Sequence, residues 1–256
     1  MSGAFAVAMC PTAGRGGGNA RHVGPVNTKP SYAAVDCGCE PGELAQLFPT
    51  VVLRRYMPDA ESRNVRFREI ILQREKSDPG IRQSNVGGWH STADLWDWPE
   101  PEIRDLCDWV KGAAADLSAS LIRALPGDMI QIKPYGGAWA NVLRSGGYNR
   151  VHNHPGAVWS AVYYVATGDP FPDPPGNGNF EFMDPRPGNI HGGKQVVQPE
   201  PGLLIVFPAW LYHYVNPYHG EGERISVAWN MEARIVRSAE LRGQKFRGRN
   251  WSGPPN

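Results

Sequence analysis

The chain has 256 residues, of which 41% are hydrophobic and 20% are charged, and its formal net charge is +1. This length and apolar fraction are sufficient for one sizeable domain with extensions. The near-zero charge gives no strong signal for nucleic acid or a membrane surface as a partner. No apolar run approaches membrane-spanning length, and the N-terminal segment lacks the positive region of a signal peptide.

The cysteines occur as Cys10, Cys37, Cys39 and Cys107, with no CxxC pair that would indicate a zinc knuckle. This usage fits a reducing compartment, and we predict a cytoplasmic protein. Nothing in the sequence determines the oligomeric state, and a homodimer is compatible with it.

Helical and extended segments share the first half of the chain. Residues 1–46 are rich in Gly, Ala and Pro, and we expect a disordered N-terminal extension there. The domain is predicted to cover residues 47–237, with a strand at 50–56 and helices between 60 and 125. Asp59 is predicted to cap the first helix, and residues 84–92 are predicted to form a loop.

From residue 129 to residue 232 the period changes from helical to alternating, and Gly/Pro-rich turns separate short apolar runs. We count six to eight strands by this pattern. Helices followed by a strand series predict a mainly β domain with N-terminal helices, of the jelly-roll type. The Gly-rich basic segment 238–256 is predicted to be a C-terminal tail.

Two histidines, His152 and His154, lie one residue apart ahead of the strand-like run 160–165. On a strand, residues i and i+2 point to the same face, so both imidazoles are predicted to enter one space. Imidazole is the commonest protein ligand for transition metals, and a third ligand is required. His213, just past the run 202–207, is the candidate, and an isolated surface histidine is the alternative.

Arg224 lies on the last strand-like run, beside Ile225 and Val227. If it points into a barrel, it is a buried cation that requires an anion, and its planar fork matches a carboxylate. The alternative is an arginine at a strand end whose guanidinium reaches water.

The order of these motifs resembles the 2-oxoglutarate- and Fe(II)-dependent oxygenases, and more narrowly a bacterial and phage family of 2-oxoglutarate oxygenases. The resemblance covers residues 47 to 232. Its motifs are Gly87-Gly88-Trp89, His152-Asn153-His154-Pro155, Ser160 to Val165, Asp184-Pro185-Arg186 and Phe207 to Pro217.

This resemblance implies a double-stranded β-helix, the jelly-roll form that cupins use, with iron near one open end. His152 and His213 match the two metal-binding histidines, and Arg224 matches the residue that binds the far carboxylate of 2-oxoglutarate. Tyr164 matches a position where a hydroxyl assists, whereas Tyr163 faces the opposite side of a regular strand. Asn141 is a further candidate for the cosubstrate, or a satisfied polar residue on the sheet.

Position 154 departs from the resemblance, because the superfamily has a carboxylate there. His154 could complete a three-histidine site, which is our preferred interpretation, or act outside the coordination sphere. A shifted frame would make His154 the first ligand, with Gly156 in the carboxylate position. Glu181 or Asp184 could also supply a carboxylate from the neighbouring strand.

Three further residues are substrate candidates. Arg186 is either a clamp or a turn anchor, and His90 is placed at the mouth of the barrel. Trp89 belongs to a set of tryptophans that either line an aromatic mouth or form core, the others being Trp139, Trp159 and Trp210.

The resemblance implies an enzyme that uses Fe(II), 2-oxoglutarate and O2. Decarboxylation of 2-oxoglutarate to succinate would accompany hydroxylation of an unknown prime substrate. The alternatives are a cupin-type metal-dependent dioxygenase or isomerase that does not use 2-oxoglutarate, and a non-catalytic jelly-roll binding module.

Overall fold

The computed structural model describes residues 49–121, 128–186 and 193–237, and its elements lie in the compact unit Thr50–Asn256. The helices are α1 (Ala60–Ser77) and α2 (Pro101–Leu121), with a short 3-10 helix at Leu95–Asp97. The strands are β1 (Leu53–Tyr56), β2 (Asn85–His90), β3 (Met129–His152), β4 (Trp159–Pro170), β5 (Phe180–Met183), β6 (Lys194–Val197), β7 (Leu203–Pro208), β8 (His213–Val215) and β9 (Gly220–Val236).

The strands form one antiparallel sheet in the order β1-β7-β4-β9-β3-β8-β5-β6, with β2 paired to β3. The sheet curls over on itself. Phe207 on β7 and Phe182 on β5 are far apart in the strand order, yet their ring centroids lie 4.9 Å apart. The curled sheet therefore encloses an interior, which strands from both ends of the strand order line together.

Two hydrophobic clusters hold the fold together, one between the helices and the sheet and one inside the curled sheet. Strand β7 contributes to both, because Leu204 and Val206 face the helices while Leu203, Ile205 and Phe207 face the interior. A strand buried on both faces is apolar at every position, which explains its unbroken apolar run. Burial of the clusters stabilises the fold by roughly 25 cal/mol for each Å² of apolar surface removed from water.

The predicted architecture is confirmed, with helices before seven strands from residue 129 onward. The predicted loop at 84–92 is wrong, because β2 occupies Asn85–His90. Gly87 has a φ of 69°, and the register to β3 shifts beside it. The segment was predicted as a loop, whereas its glycine pair forms a bulge in a paired strand.

Strand β3 is also longer than predicted, since it continues from Met129 to His152 through the Gly136-Gly137 turn signal. Both glycines have positive φ, and the register to β9 shifts there without ending the strand. Asp59 does precede α1, but its side chain makes no capping hydrogen bond. Instead, Ser62 Oγ donates to the carbonyl oxygen of Asp59.

Several predictions fall outside the described residues: the disordered extension 1–46, the end of the second helix at 125 and the tail 238–256. Within the described part, neither helix is long and apolar enough to span a bilayer.

Candidate active site

Three histidines converge at one end of the curled sheet. His152 ends β3 and pairs directly with His213, the first residue of β8. His154 lies two residues past β3, where its N–H donates to the carbonyl oxygen of Ala209. The ring centroids are 4.3 Å apart for His152–His213, 5.0 Å for His152–His154 and 5.2 Å for His154–His213. One nitrogen from each ring lies within 4.8 Å of the others, as metal ligation requires.

In two of these rings, a hydrogen bond determines which ring nitrogen is available to a metal ion. Nδ1 of His152 lies 2.7 Å from the carbonyl oxygen of Arg150, and Nδ1 of His213 lies 2.9 Å from that of Leu211. A carbonyl oxygen only accepts, so each Nδ1 carries the proton. Nε2 therefore keeps its lone pair, and it is the nitrogen available to a metal ion.

His154 is held differently, by a side chain. Its Nδ1 lies 3.3 Å from Nδ2 of Asn230, and Ser160 Oγ donates to Asn230 Oδ1 at 2.8 Å. An amide can present either a donor or an acceptor to a ring nitrogen, so this partner allows both tautomers. The orientation of His154 therefore depends on a buried Ser–Asn pair rather than on backbone.

Burial lowers the pKa of all three histidines. The pKa of His154 falls to about 4, first by burial and then by the charge of His152. The pKa of His152 is lowered by burial, and that of His213 is lowered well below its usual value by burial and by its two neighbours. Neutral imidazole is the form that binds metal, so the cluster is prepared for ligation at neutral pH.

A narrow pocket of about 40 Å³ extends inward from the histidines to Arg224 on β9. The Arg224 side chain is buried, its Nε donates to the carbonyl oxygen of Gly178 at 3.1 Å, and its Nη2 has no hydrogen-bond partner among the described residues. In the described part of the chain, no carboxylate lies within ion-pair distance of it. Burial lowers the pKa of Arg224. A buried guanidinium without a counterion is a strong indication of an anion site.

Two more polar groups without partners lie near this cation. Asn141 lines the pocket, and its Oδ1 accepts no hydrogen bond from any residue that the structure describes. The guanidinium carbon of Arg224 is 5.4 Å from the ring centroid of Tyr164, whose buried hydroxyl also has no partner. Burial raises the pKa of Tyr164 to about 12, so this hydroxyl keeps its proton and can donate. Such orphaned buried groups are costly unless a ligand satisfies them.

An open cleft of about 490 Å³ lies outside the histidines and shares four lining residues with the narrow pocket: Ser84, Trp139, His152 and His154. His90 lines this cleft and stacks on Trp139 with centroids 5.3 Å apart. His90 Nδ1 lies 2.6 Å from the carbonyl oxygen of Ser91, and burial lowers its pKa. The cleft therefore opens onto His152 and His154 of the histidine cluster.

Two substrate candidates lie elsewhere. Trp89 packs in the cluster between helices and sheet, and its Nε1 donates to the carbonyl oxygen of Asp78 at 2.8 Å. It faces the other side of β2 from His90. Arg186 is exposed and makes two hydrogen bonds from its guanidinium to Asp184, at 2.9 and 2.6 Å. Arg186 is therefore a turn anchor, which was the alternative to a substrate clamp.

The carboxylate alternatives are not supported by the geometry. Glu181 projects from β5 on the face opposite Phe180 and Phe182, the residues that pack against His213. It contacts Lys194 and Tyr214 instead. Among the described residues, the only cluster with metal-binding geometry consists of the three histidines, with neither Glu181 nor Asp184 in it.

Asn230 and Ser160 were not singled out from the sequence as site residues. A signal for Asn230 was present, because positions 224, 226, 228 and 230 share one face of a regular strand. Arg224, Ser226 and Ala228 all line the narrow pocket, and Asn230 lines the cleft. The inward-facing arginine therefore already indicated which other residues of β9 face the site.

Residues 137–230 match a family model described as "Putative 2OG-Fe(II) oxygenase". This matched region, which is less than half of the chain, is similar to 2OG-Fe(II) oxygenases. The match confirms the predicted class of enzyme and its cofactors, Fe(II), 2-oxoglutarate and O2. A search of curated proteins found no match.

Solved structures support the fold. The epimerase SnoN, in complex with Fe3+, alpha ketoglutarate and nogalamycin RO, is 12% identical with a TM-score of 0.54, covering 81% of this chain and 89% of its own. The carbocyclase SnoK from nogalamycin biosynthesis is 14% identical with a TM-score of 0.51, covering 80% and 90%. A Pseudomonas putida prolyl-4-hydroxylase is 19% identical with a TM-score of 0.47, covering 72% and 93%. SnoN and SnoK confirm the jelly-roll architecture of the oxygenase domain.

Proposed function

We propose that this oxygenase is a hydroxylase that holds Fe(II) on His152, His154 and His213 and binds 2-oxoglutarate through Arg224. One observation carries the proposal. Three neutral imidazoles and a buried guanidinium without a counterion lie along the same pocket, with the histidines toward the open cleft. A metal ion and a dicarboxylate would satisfy both ends of that pocket.

The donor set fits Fe(II). Imidazole is a suitable ligand for iron, and a face of three protein ligands leaves coordination positions for other molecules. All three ligands are neutral, so none of the ion's positive charge is cancelled by the protein. A dianionic cosubstrate would therefore be attracted both by the metal ion and by Arg224 at the far end.

The buried polar groups without partners would each contact the cosubstrate in this arrangement. The fork of Arg224 would bind the distal carboxylate, with its free Nη2 donating, and the Tyr164 hydroxyl would donate beside it. Asn141 lines the same pocket and would orient the cosubstrate. These contacts would fix the direction of 2-oxoglutarate so that its keto acid reaches the histidine end, and hold it within reach of the substrate.

When bound together, Fe(II), 2-oxoglutarate and O2 supply the oxidising chemistry, with 2-oxoglutarate converted to succinate and CO2. The chain itself positions the reactants and excludes water from the metal site. Phe180, Phe182 and Phe207 surround His213 with ring centroids 4.9 to 6.4 Å away, which keeps that side of the metal site dry. The cleft beside Trp139 would admit the prime substrate from the opposite side.

Anaerobic titration of the Fe(II)-loaded protein with 2-oxoglutarate tests the proposal through the visible metal-to-ligand charge-transfer band. We expect the band in the wild type and at least roughly hundredfold weaker 2-oxoglutarate binding in Arg224→Ala, because an Arg–carboxylate pair in a dry pocket is lost. Iron should still bind this variant. Arg54→Ala, which removes an exposed arginine on β1, is the matched control.

A normal band in Arg224→Ala would refute the assignment of the cosubstrate site. Bound iron with no band in the wild type would instead favour the cupin-type enzyme that does not use 2-oxoglutarate.

A further inference from the structure

A second concave surface lies beside the active-site cleft, on the other side of Arg150. It is a groove of about 600 Å³ that runs along β2 and the C-terminal part of β3. Among the described residues, its lining includes three arginines, Arg82, Arg144 and Arg150, and no acidic side chain. The groove also contains Gly87 and Gly88, where backbone rather than side chains forms the floor. A ligand can therefore approach the chain closely here.

The three arginines are not equivalent. Arg144 makes a two-point ion pair with Glu75, at 2.6 and 2.9 Å, so its charge is neutralised. Arg82 and Arg150 are exposed, and within the described part of the chain neither guanidinium forms an ion pair or a hydrogen bond. The groove thus offers two guanidinium groups that are free to bind an anion.

Arg150 joins the groove to the active site. It lines the groove and also the 490 Å³ cleft that contains His152 and His154. Among the described residues, the cleft lining has no acidic side chain either, and Arg150 is its only arginine or lysine. A cleft with charge of a single sign attracts and orients ligands of the opposite sign.

We propose that the prime substrate carries an anionic group, a phosphate or a carboxylate, which binds Arg150 and Arg82 while the reacting end lies in the cleft. This inference rests on the proposed function, because it assigns the substrate class of the same site. Guanidinium groups bind both anions through paired N–H donors. The anion would anchor the substrate at the border of groove and cleft and leave its other end at the histidine cluster.

Calorimetric titration of the protein saturated with Fe(II) and 2-oxoglutarate, without oxygen, tests the proposal. The probes are phenyl phosphate, phenylacetate and the neutral phenylacetamide. Saturation with 2-oxoglutarate excludes the probes from Arg224. We expect one of the two anions to bind more tightly than the amide, and the preferred anion distinguishes phosphate from carboxylate chemistry.

The variants Arg82→Gln and Arg150→Gln should each weaken binding of that anion by roughly tenfold, the loss expected for one charge-assisted contact. Binding should also weaken with added salt. Arg54→Gln, an exposed arginine on another strand, should bind the anion normally. If neither anion binds more tightly than phenylacetamide, or if the double variant Arg82→Gln/Arg150→Gln binds the anion normally, the proposal is wrong.

The charge-transfer band separates this proposal from the one on which it rests. Arg82→Gln and Arg150→Gln should retain the band with 2-oxoglutarate. A wild type without the band would refute the cosubstrate site, whereas a normal band with no anion binding would refute only the anionic substrate.

Discussion

Taken together, β5 and β8 carry Glu181 and Tyr214 on their outer face and His213 on their inner face, and the two faces differ in how the polar groups there are satisfied. On the outer face, the Glu181 carboxylate accepts hydrogen bonds from Lys194 at 3.0 Å, Asn216 at 2.8 Å and the Tyr214 hydroxyl. On the inner face is His213, at the end of the pocket where Arg224 Nη2 and Asn141 Oδ1 have no partner.

The satisfied polar groups of the outer face contribute to stability, whereas the unsatisfied polar groups of the inner face indicate a binding function. The outer network is complete without any ligand, so its contribution is to hold β5 against β8. The inner groups carry a desolvation cost that the other described residues offset only in part. Buried polar groups without partners are typical of a ligand-binding site, which is why we assign the site to the inner face.

The largest effect is expected from His152→Ala and His213→Ala. Each variant removes one of three proposed ligands, and iron binding should fall below detection in both, measured by anaerobic Fe(II) titration. His219→Ala, a histidine outside the cluster, is the control and should bind normally. Normal iron binding in either His152→Ala or His213→Ala would show that the ligand assignment is wrong.

On the outer face, Glu181→Gln should lower the free energy of unfolding by about 2 kcal/mol at pH 7, because hydrogen bonds to a buried carboxylate are weakened. Burial alone would raise the pKa of Glu181, but hydrogen bonds from Lys194, Tyr214 and Asn216 hold it below its usual 4.5. The unfolded state therefore takes up this proton first as the pH falls, and the stabilisation is present above pH 4.5 and is lost below it.

Urea unfolding of wild type and Glu181→Gln without metal checks this at pH 7 and below pH 4. The difference between the two proteins should shrink at the lower pH. Iron binding should be unaffected, since Glu181 faces away from the histidines. A loss of iron affinity together with stability would mean that the two faces are not independent.

Features that depend on the alternation of residues along a single strand could be predicted from the sequence. The alternation of β4 places Tyr163 and Tyr164 on opposite faces, and the structure has Tyr163 in the cluster under the helices and Tyr164 inside. The HxH spacing and the inward Arg224 were likewise local patterns. Contacts between distant strands were not predictable, and Asn230 approaches His154 only because β9 runs close to the loop after β3. Gly87 misled because the same residue type forms turns and bulges.

An intermediate effect is expected from the Asn230–His154 contact. Asn230→Ala removes the group that orients His154, and metal affinity should fall roughly tenfold, as for other partners of metal-binding histidines. Asn230→Asp offers only an acceptor, so it selects the tautomer with the proton on Nδ1 and Nε2 free for metal.

Metal titration of both Asn230 variants therefore tests the three-histidine site directly. If His154 is a ligand, Asn230→Asp should bind metal at least as tightly as wild type while Asn230→Ala binds it less tightly. Equal affinities in all three proteins would show that His154 is not a ligand.

The smallest effects are expected from two adjacent tyrosines that the strand places on opposite faces. The Tyr163 hydroxyl donates to Asn64 Oδ1 at 2.7 Å, whereas the Tyr164 hydroxyl has no partner. Tyr163→Phe should cost about 1 kcal/mol of unfolding free energy and leave 2-oxoglutarate binding unchanged. Tyr164→Phe removes an unsatisfied buried hydroxyl, so stability should be unchanged or rise by up to about 1 kcal/mol, while 2-oxoglutarate binds less tightly.

The pair is its own control, since one hydroxyl is removed from the same strand in each case. Both variants are measured by urea unfolding and by the charge-transfer titration. Tyr163→Phe should lose stability, whereas Tyr164→Phe should lose affinity for 2-oxoglutarate. If Tyr164→Phe instead loses as much stability as Tyr163→Phe and binds 2-oxoglutarate normally, its hydroxyl belongs to the structure rather than to the site. Arg224 would then be left without this second donor for the distal carboxylate.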